Sequence, residues 1–322
     1  MSLPDLIAAL RRGIGLTHKH DIAPVLAQLN PNANGTIAIG DDCAAIPDHD
    51  SFLLFAIEGF MPGFIAAEPH FAGYCGVMVN ISDIAAMGGR PVAVVDAIWA
   101  QDAANAAPIL AGLAEAARRY NIPIVGGHTN SRAATDCLAV AILGRAANLL
   151  TSFDARPGDN LLAAIDLRGA MRPSGPYWDA STTAPPDRLR ADLDLLPQIA
   201  EAGLSIAAKD ISMAGIIGTA IMLLEASGAG AVIDLAAIPC PPGMSLEQWL
   251  PAFPSFGFLL SVAPQNTPEV LAMFAARGIG CAVIGTVKPG PYLRLRLDDD
   301  EQTAWDISKD TLILKTPSLA DA

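Results

Sequence analysis

Residues Phe71–Pro91 read FAGYCGVMVNISDIAAMGGRP, and this stretch decides how the rest of the chain is read. From Pro69 to Met87 the pattern is helical, with Phe71, Cys75, Val79 and Ala86 on one apolar face. Asn80 and Asp83 stand three apart inside it and so share a face, flanked by Ser82 and Met87. A lone carboxylate buried in such a helix costs several kcal/mol. Asp83 therefore needs a partner: a metal, another cation, or a cap or pair within the helix itself.

Outward from this helix, strand-like and helix-like segments alternate. Thr36–Ile39 and Phe52–Ile57 precede it as short strands, rich in β-branched or aromatic residues. Val92–Ile98 follows as an apolar strand, and Ala106–Tyr120 as an Ala-rich helix whose Arg118 and Arg119 suit its negative end. Ile122–Val125 reads as a short buried strand running into Gly126-Gly127, and Leu138–Leu143 as another. Arg156-Pro157-Gly158-Asp159 is turn chemistry, and a new strand opens at Leu161. That places a boundary near residue 150 and predicts two domains, residues 1–150 and 151–322.

In the second half, residues 169–187 (GAMRPSGPYWDASTTAPPD) are expected to form a long loop carrying Tyr177 and Trp178. Such a loop is either functional, here covering a substrate, or a surface insertion. Helices at Asp187–Ala202, Ala214–Ser227 and Thr267–Arg277 interleave with strands at Ile206–Lys209, Ala231–Leu235, Phe256–Val262, Cys281–Val287 and Tyr292–Leu297. The fold class is α/β (α+β).

Composition narrows the function. The chain has 322 residues, 52% of them hydrophobic and 16% charged, with a mean hydropathy of +0.38, too apolar for disorder. Its net charge of −13 repels phosphate backbones and anionic lipid, so neither nucleic acid nor membrane is an expected partner. A nucleotide can still bind if divalent metal supplies positive charge. Cys43, Cys75, Cys137, Cys240 and Cys281 are widely spaced and odd in number, which fits a reducing cytoplasm. The opening MSLPDLIAALRRG is too short an apolar run for a secretory signal, and the best apolar stretch, Met213–Leu224, stops at Glu225. No P-loop, complete dinucleotide fingerprint or His-pair zinc motif occurs.

Further acidic positions join Asp83. Gly40-Asp41-Asp42-Cys43 follows a strand, and its adjacent carboxylates either share a cation or form an ordinary Asp turn. Glu58 ends the strand Phe52–Ile57, as a site residue or a solvated strand end. Lys209-Asp210-Ile211-Ser212 runs from a strand into a helix, so that Asp210 is either a carboxylate from the second domain or a cap. Gly126-Gly127-His128 leaves a strand through two glycines whose free N–H groups can cradle phosphate, with His128 a ligand, a donor or a loop residue. Together these residues suggest a Mg²⁺–triphosphate site in which carboxylates hold the metal and the metal neutralises the phosphates. Cys43, beside the acids, is read as a small buried filler, because neighbouring Asp residues raise its pKa.

Read in order, the blocks GDDCAAI (40–46), FAGYCGVMVNISDIAAMGGRP (71–91), GGHT (126–129), RPGD (156–159), DISMAGIIG (210–218), FGFLLSV (256–262) and IGTV (284–287) span nearly the whole chain. With them the sequence resembles the AIR synthase (PurM-like) superfamily, which includes selenophosphate synthetase and thiamine-monophosphate kinase. The resemblance implies an N-terminal α/β domain that dimerises through its strands, a C-terminal α/β domain packed on it, and ATP with Mg²⁺ between them. It further implies that Asp41 and Asp42 carry Mg²⁺ and phosphates. Asp83 becomes a metal ligand with Asn80 beside it, and Asp210 the ligand from the second domain. Departures from the family pattern are Glu58 where Asp is usual, His128 where kinase members carry Asp, and Met213-Ala214 in place of a DG pair. Lys19, with Arg11 or Arg12, could reach phosphate, or the segment is simply a basic arm.

The function implied is an ATP- and Mg²⁺-dependent enzyme acting on a small molecule, by γ-phosphoryl transfer or by dehydration through phosphate activation, with Asp83, Asp210 and His128 as catalytic residues. Two rivals are a non-catalytic nucleotide-binding regulatory or assembly protein and a metal-dependent hydrolase that does not use ATP.

Overall fold

In the computed structural model, which describes residues 1–29 and 39–313, the apolar segment is a helix, Pro69–Ala86, buried along nearly its whole length. A helix apolar all round must be covered on every side, and here two layers of the molecule share it. The helices in chain order are Leu3–Arg11 (α1), Ile14–Thr17 (α2), Ile22–Leu29 (α3), Pro62–Ala67 (α4), Pro69–Ala86 (α5), Ala103–Tyr120 (α6), Pro186–Leu193 (α7), Leu195–Glu201 (α8), Gly215–Ser227 (α9), Leu246–Trp249 (α10) and Thr267–Ala276 (α11).

The first sheet is built from Ala44–Asp48 (β1), Ser51–Phe60 (β2), Arg90–Trp99 (β3), Ile124–Asn130 (β4) and Cys137–Ala146 (β5), in the order β1-β2-β5-β3-β4. Only β3 and β4 run parallel. Leu54, Val94, Val140 and Ile142 point to the side covered by α5. Helix α6 lies against α5 at two glycines. A Cβ on Gly73 would come within 2.0 Å of the Ile109 carbonyl oxygen, and one on Gly112 within 1.9 Å of that of His70.

The second half contributes Asn160–Ile165 (β6), Ala170–Met171 (β7), Tyr177–Asp179 (β8), Ala207–Asp210 (β9), Gly230–Asp234 (β10), Phe253–Pro254 (β11), Gly257–Val262 (β12), Gly280–Lys288 (β13), Tyr292–Leu297 (β14) and Asp300–Asp306 (β15). Seven of these form a mixed sheet, β15-β14-β10-β13-β6-β12-β9, and β11-β8-β7 a small separate one. The C-terminal end of α5, at Ala85 and Ala86, packs into a core that includes Leu162, Ala164 and Phe258. The architecture is therefore α/β as expected, with two large sheets that share α5. Leu3, Leu6 and Leu16, near the chain start, are buried in the core of the second sheet.

Three expectations need correction. The strand expected at Ile122–Val125 runs on to Asn130, so the diglycine and His128 lie inside an exposed edge strand. Residues 169–187 form short strands, not a bare loop, because Tyr177 and Trp178 pair with β11. The helix Asp187–Ala202 breaks at Asp194, where Pro197 lacks the N–H that a continuous helix would need. The strand expected at Thr36–Ile39 lies, but for Ile39, outside the described residues. No described helix is long and apolar enough to cross a membrane.

Candidate functional site

Five stretches meet at one cleft of about 430 Å³. The turn before β1 brings Asp41 and Asp42, strand β2 brings Glu58, and the last turn of α5 brings Asp83. The end of β9 brings Lys209 and Asp210, and the segment after α2 brings His18 and Lys19. The acids expected as metal ligands are thus gathered, with Lys19 beside them. Glu58 stands within β2 and not at its end, pointing to the covered side with Leu54 and Ala56.

Burial governs their chemistry. Asp83 and Asp210 are 5% and 3% exposed, and each has one carboxylate oxygen, Oδ2, with no hydrogen-bond partner. Burial, then repulsion from Asp210, Glu58 and Asp42, holds the Asp83 carboxyl well above the ordinary range. Asp210 is pushed up to about 8 by burial and by Asp42, against the pull of Lys209 and Lys19. Burial also raises Glu58, opposed by Lys19.

Asp41 and Asp42 are already engaged. Asp41 accepts the Ser152 N–H at 2.8 Å and the Ser152 hydroxyl at 2.6 Å, and it rises to about 6 through burial and the charge of Asp42. Asp42 is ion-paired with the buried Lys209 ammonium, and its Oδ2 accepts the Asp210 N–H at 3.3 Å. Burial alone would lower the Lys209 pKa, but Asp42, Asp41 and Asp210 outweigh it and raise it. Lys209 was visible in the sequence as a cation within an apolar strand, yet its role depends on Asp42, far away in the chain.

Among the described residues no three carboxylate, imidazole or thiolate groups form a closed metal cage. Two orphaned carboxylate oxygens from different layers still suit Mg²⁺, which is held by one or two carboxylates while keeping several waters.

Asn80, Gly126, Gly127 and His128 do not line this cleft. Asn80 is fully buried, its amide donating to the Gly76 carbonyl at 2.8 Å and the Val140 carbonyl at 3.0 Å, so it fastens α5 to β5. The diglycine strand is exposed throughout, and a Cβ on Gly127 would sit 2.7 Å from the Asp96 carbonyl oxygen of β3. Glycine is needed there for strand pairing. Arg11 is also occupied, donating to the Ala304 carbonyl at 2.9 and 2.6 Å and lying 5.2 Å over the Trp305 ring. The basic arm is therefore docked, and of its cations Lys19 lines the cleft. Cys43 is buried, and burial with the Asp83 charge pushes its thiol well up, as a filler requires.

An apolar cavity adjoins the cleft, sharing Glu58, Met213 and Phe253 with it. Phe64, Phe71, Tyr177 and Trp178 wall it, with the Phe64 and Tyr177 rings 4.9 Å apart. Trp178 is fixed by donating its indole N–H to the Asp166 carbonyl at 2.8 Å.

Comparison with known proteins gives a consistent picture. The model of the AIR synthase related protein N-terminal domain matches residues 40–146, and that of the C-terminal domain matches residues 169–298. An uncharacterized protein of Synechocystis sp. is 50% identical over 314 residues, covering 96% of this chain and 98% of that protein. The thiamine-monophosphate kinase of Synechococcus elongatus is 26% identical over 298 residues, covering 81% and 86%. The solved structure of T. maritima PurL complexed with ATP superposes with a TM-score of 0.76 at 18% identity, covering 98% of this chain. This chain spans 55% of that larger protein.

Proposed function

We propose that this chain, which belongs to the AIR synthase related family, binds ATP with Mg²⁺ in the acidic cleft and acts on a small molecule held beside it. The observation that carries this reading is the pair of unpartnered buried oxygens on Asp83 and Asp210, one from each layer, in a cleft where five carboxylates face two lysines. Asp83 and Asp210, with Asp42 beside them, would hold the metal, and bound Mg²⁺ would supply the charge neutralisation that phosphoryl chemistry requires. Lys19 faces the phosphates from the arm. Lys209 holds Asp42 in place and is the nearest buried ammonium. The chain's own contribution is positioning and a water-poor field, directed either to γ-phosphoryl transfer or to activation of an oxygen for loss as phosphate. ATP bound to T. maritima PurL and the kinase relative support the nucleotide.

The protein would work as a homodimer. Phe55, Ile57, Val95, Trp99 and Leu143 are exposed on the first sheet. They alternate with residues buried under α5, and Phe55 lies opposite Leu143. A second copy of the chain covers this bare apolar face.

Calorimetric titration of ATP with Mg²⁺, followed by assay for ADP release, tests the reading. Binding that requires Mg²⁺ and fails in Asp83→Asn is expected. Tight ATP binding unaffected by Asp83→Asn, or no binding at all, refutes it.

A further inference from the structure

The aromatic cavity beside the cleft has a composition that selects its occupant. Six rings, Phe60, Phe64, Phe71, Tyr177, Trp178 and Phe253, line about 70 Å³ of space that opens onto the cleft. No Lys, Arg or His lines it, and its one charged lining residue is Glu58. Among the described residues the Glu58 carboxylate makes no hydrogen bond or ion pair, although it borders both the cavity and the cleft. Arg172, the cation behind the wall, is unavailable: it stacks 4.1 Å over Phe71 and is paired with Glu68 and Asp179. Lys19 lies on the cleft side. A phosphate or carboxylate placed here would meet the Glu58 carboxylate, with no cation on the cavity's own wall to offset it. Aromatic faces combined with one carboxylate instead attract an ammonium group.

We infer that this cavity receives the acceptor, and that the acceptor is a phosphate-free amine whose single ring or apolar body enters the aromatic cage while its ammonium meets Glu58. This deepens the proposed function and rests on it for the word acceptor. The preference for an apolar amine is a property of the cavity alone.

Three probes with one ring and different charge test it by titration into metal-free protein: benzylamine, benzoate and phenyl phosphate. Benzylamine is expected to bind at least about tenfold more tightly than either anion, and Glu58→Gln is expected to remove most of that preference. The ranking on the unmodified protein stands even if the variant fails to fold. Equal or tighter binding of phenyl phosphate or benzoate, or no binding of benzylamine at millimolar concentration, overturns the inference. Titration of ATP with Mg²⁺ into the same protein separates the two readings. Benzylamine binding in the expected order without ATP binding refutes the nucleotide reading and supports the cavity assignment. ATP binding with phenyl phosphate preferred does the reverse.

Discussion

Replacing Asp210 by Asn should make the metal-free protein more stable, and by an amount that grows with pH. The Asp210 carboxyl is buried and lies near 8 in the folded chain, against 3.8 for an ordinary Asp. Its folded value is raised, so the sign is the opposite of that for a salt-bridged acid. Below about pH 4 folded and unfolded chains both carry the proton and nothing is lost. From there up to about pH 8 the unfolded chain releases the proton while the folded one keeps it, so stability falls continuously. At about 1.4 kcal/mol per pH unit, this amounts to on the order of 5 kcal/mol near pH 7.5 and on the order of 1–2 kcal/mol near pH 5. The amide has nearly the same shape and no charge, so it escapes that loss. For a chain of this size about 2 °C per kcal/mol follows, giving a midpoint raised by about 10 °C near pH 7.5 and about 3 °C near pH 5. Thermal unfolding in a chelator, across a pH series, measures it. The same scans with saturating ATP and Mg²⁺ should reverse the order, because only the wild-type chain gains stability from the ligand. A variant less stable than wild type at pH 8, or a gap that does not widen with pH, refutes the argument that an uncompensated acid is stored in the cleft.

Lys209→Met leaves Asp42 buried without its ion pair, and should cost about 3–5 kcal/mol in urea unfolding. Added Mg²⁺ should restore part of that loss in the variant, since both cations answer the same carboxylates, and failure of any rescue would count against a shared site. Ile57→Asp places a charge at the centre of the bare sheet face, where Ile57 is 67% exposed in the single chain. Sedimentation should show a dimer becoming monomer, whereas an unchanged mass would dismiss that face as the interface.

The fold was legible where burial leaves a periodic trace. Helix α5 is apolar on every side, and Asp83 stood out in it because a charge there demands a partner. Two edge strands, β1 and β15, left no such trace. Strand β1 contains Pro47 and β15 is mostly polar, as edges tolerate, so neither was foreseen. In the site, carboxylates were legible and amides were not. Asn80 shares a helix with Asp83, yet its amide nitrogen is spent on two backbone carbonyls inside a core while its Oδ1 has no partner, and spacing alone does not reveal that. In the diglycine, the close approach that Gly127 permits within the chain is to a neighbouring strand, which the sequence left open. Lys209 carried no role in the sequence reading, because its partner lies in the other layer, at Asp42.

The docking of Arg11 on Ala304 and Trp305 also orders events during synthesis. The arm bearing Lys19 is made well before the surface that receives it, since Arg11 and Ala304 stand 293 residues apart in the chain. A growing chain therefore assembles the acids of its cleft before it can bring this lysine to them. The cleft acquires its full complement of charge only when translation has passed Trp305, so a truncated product would carry the acids without that counterweight.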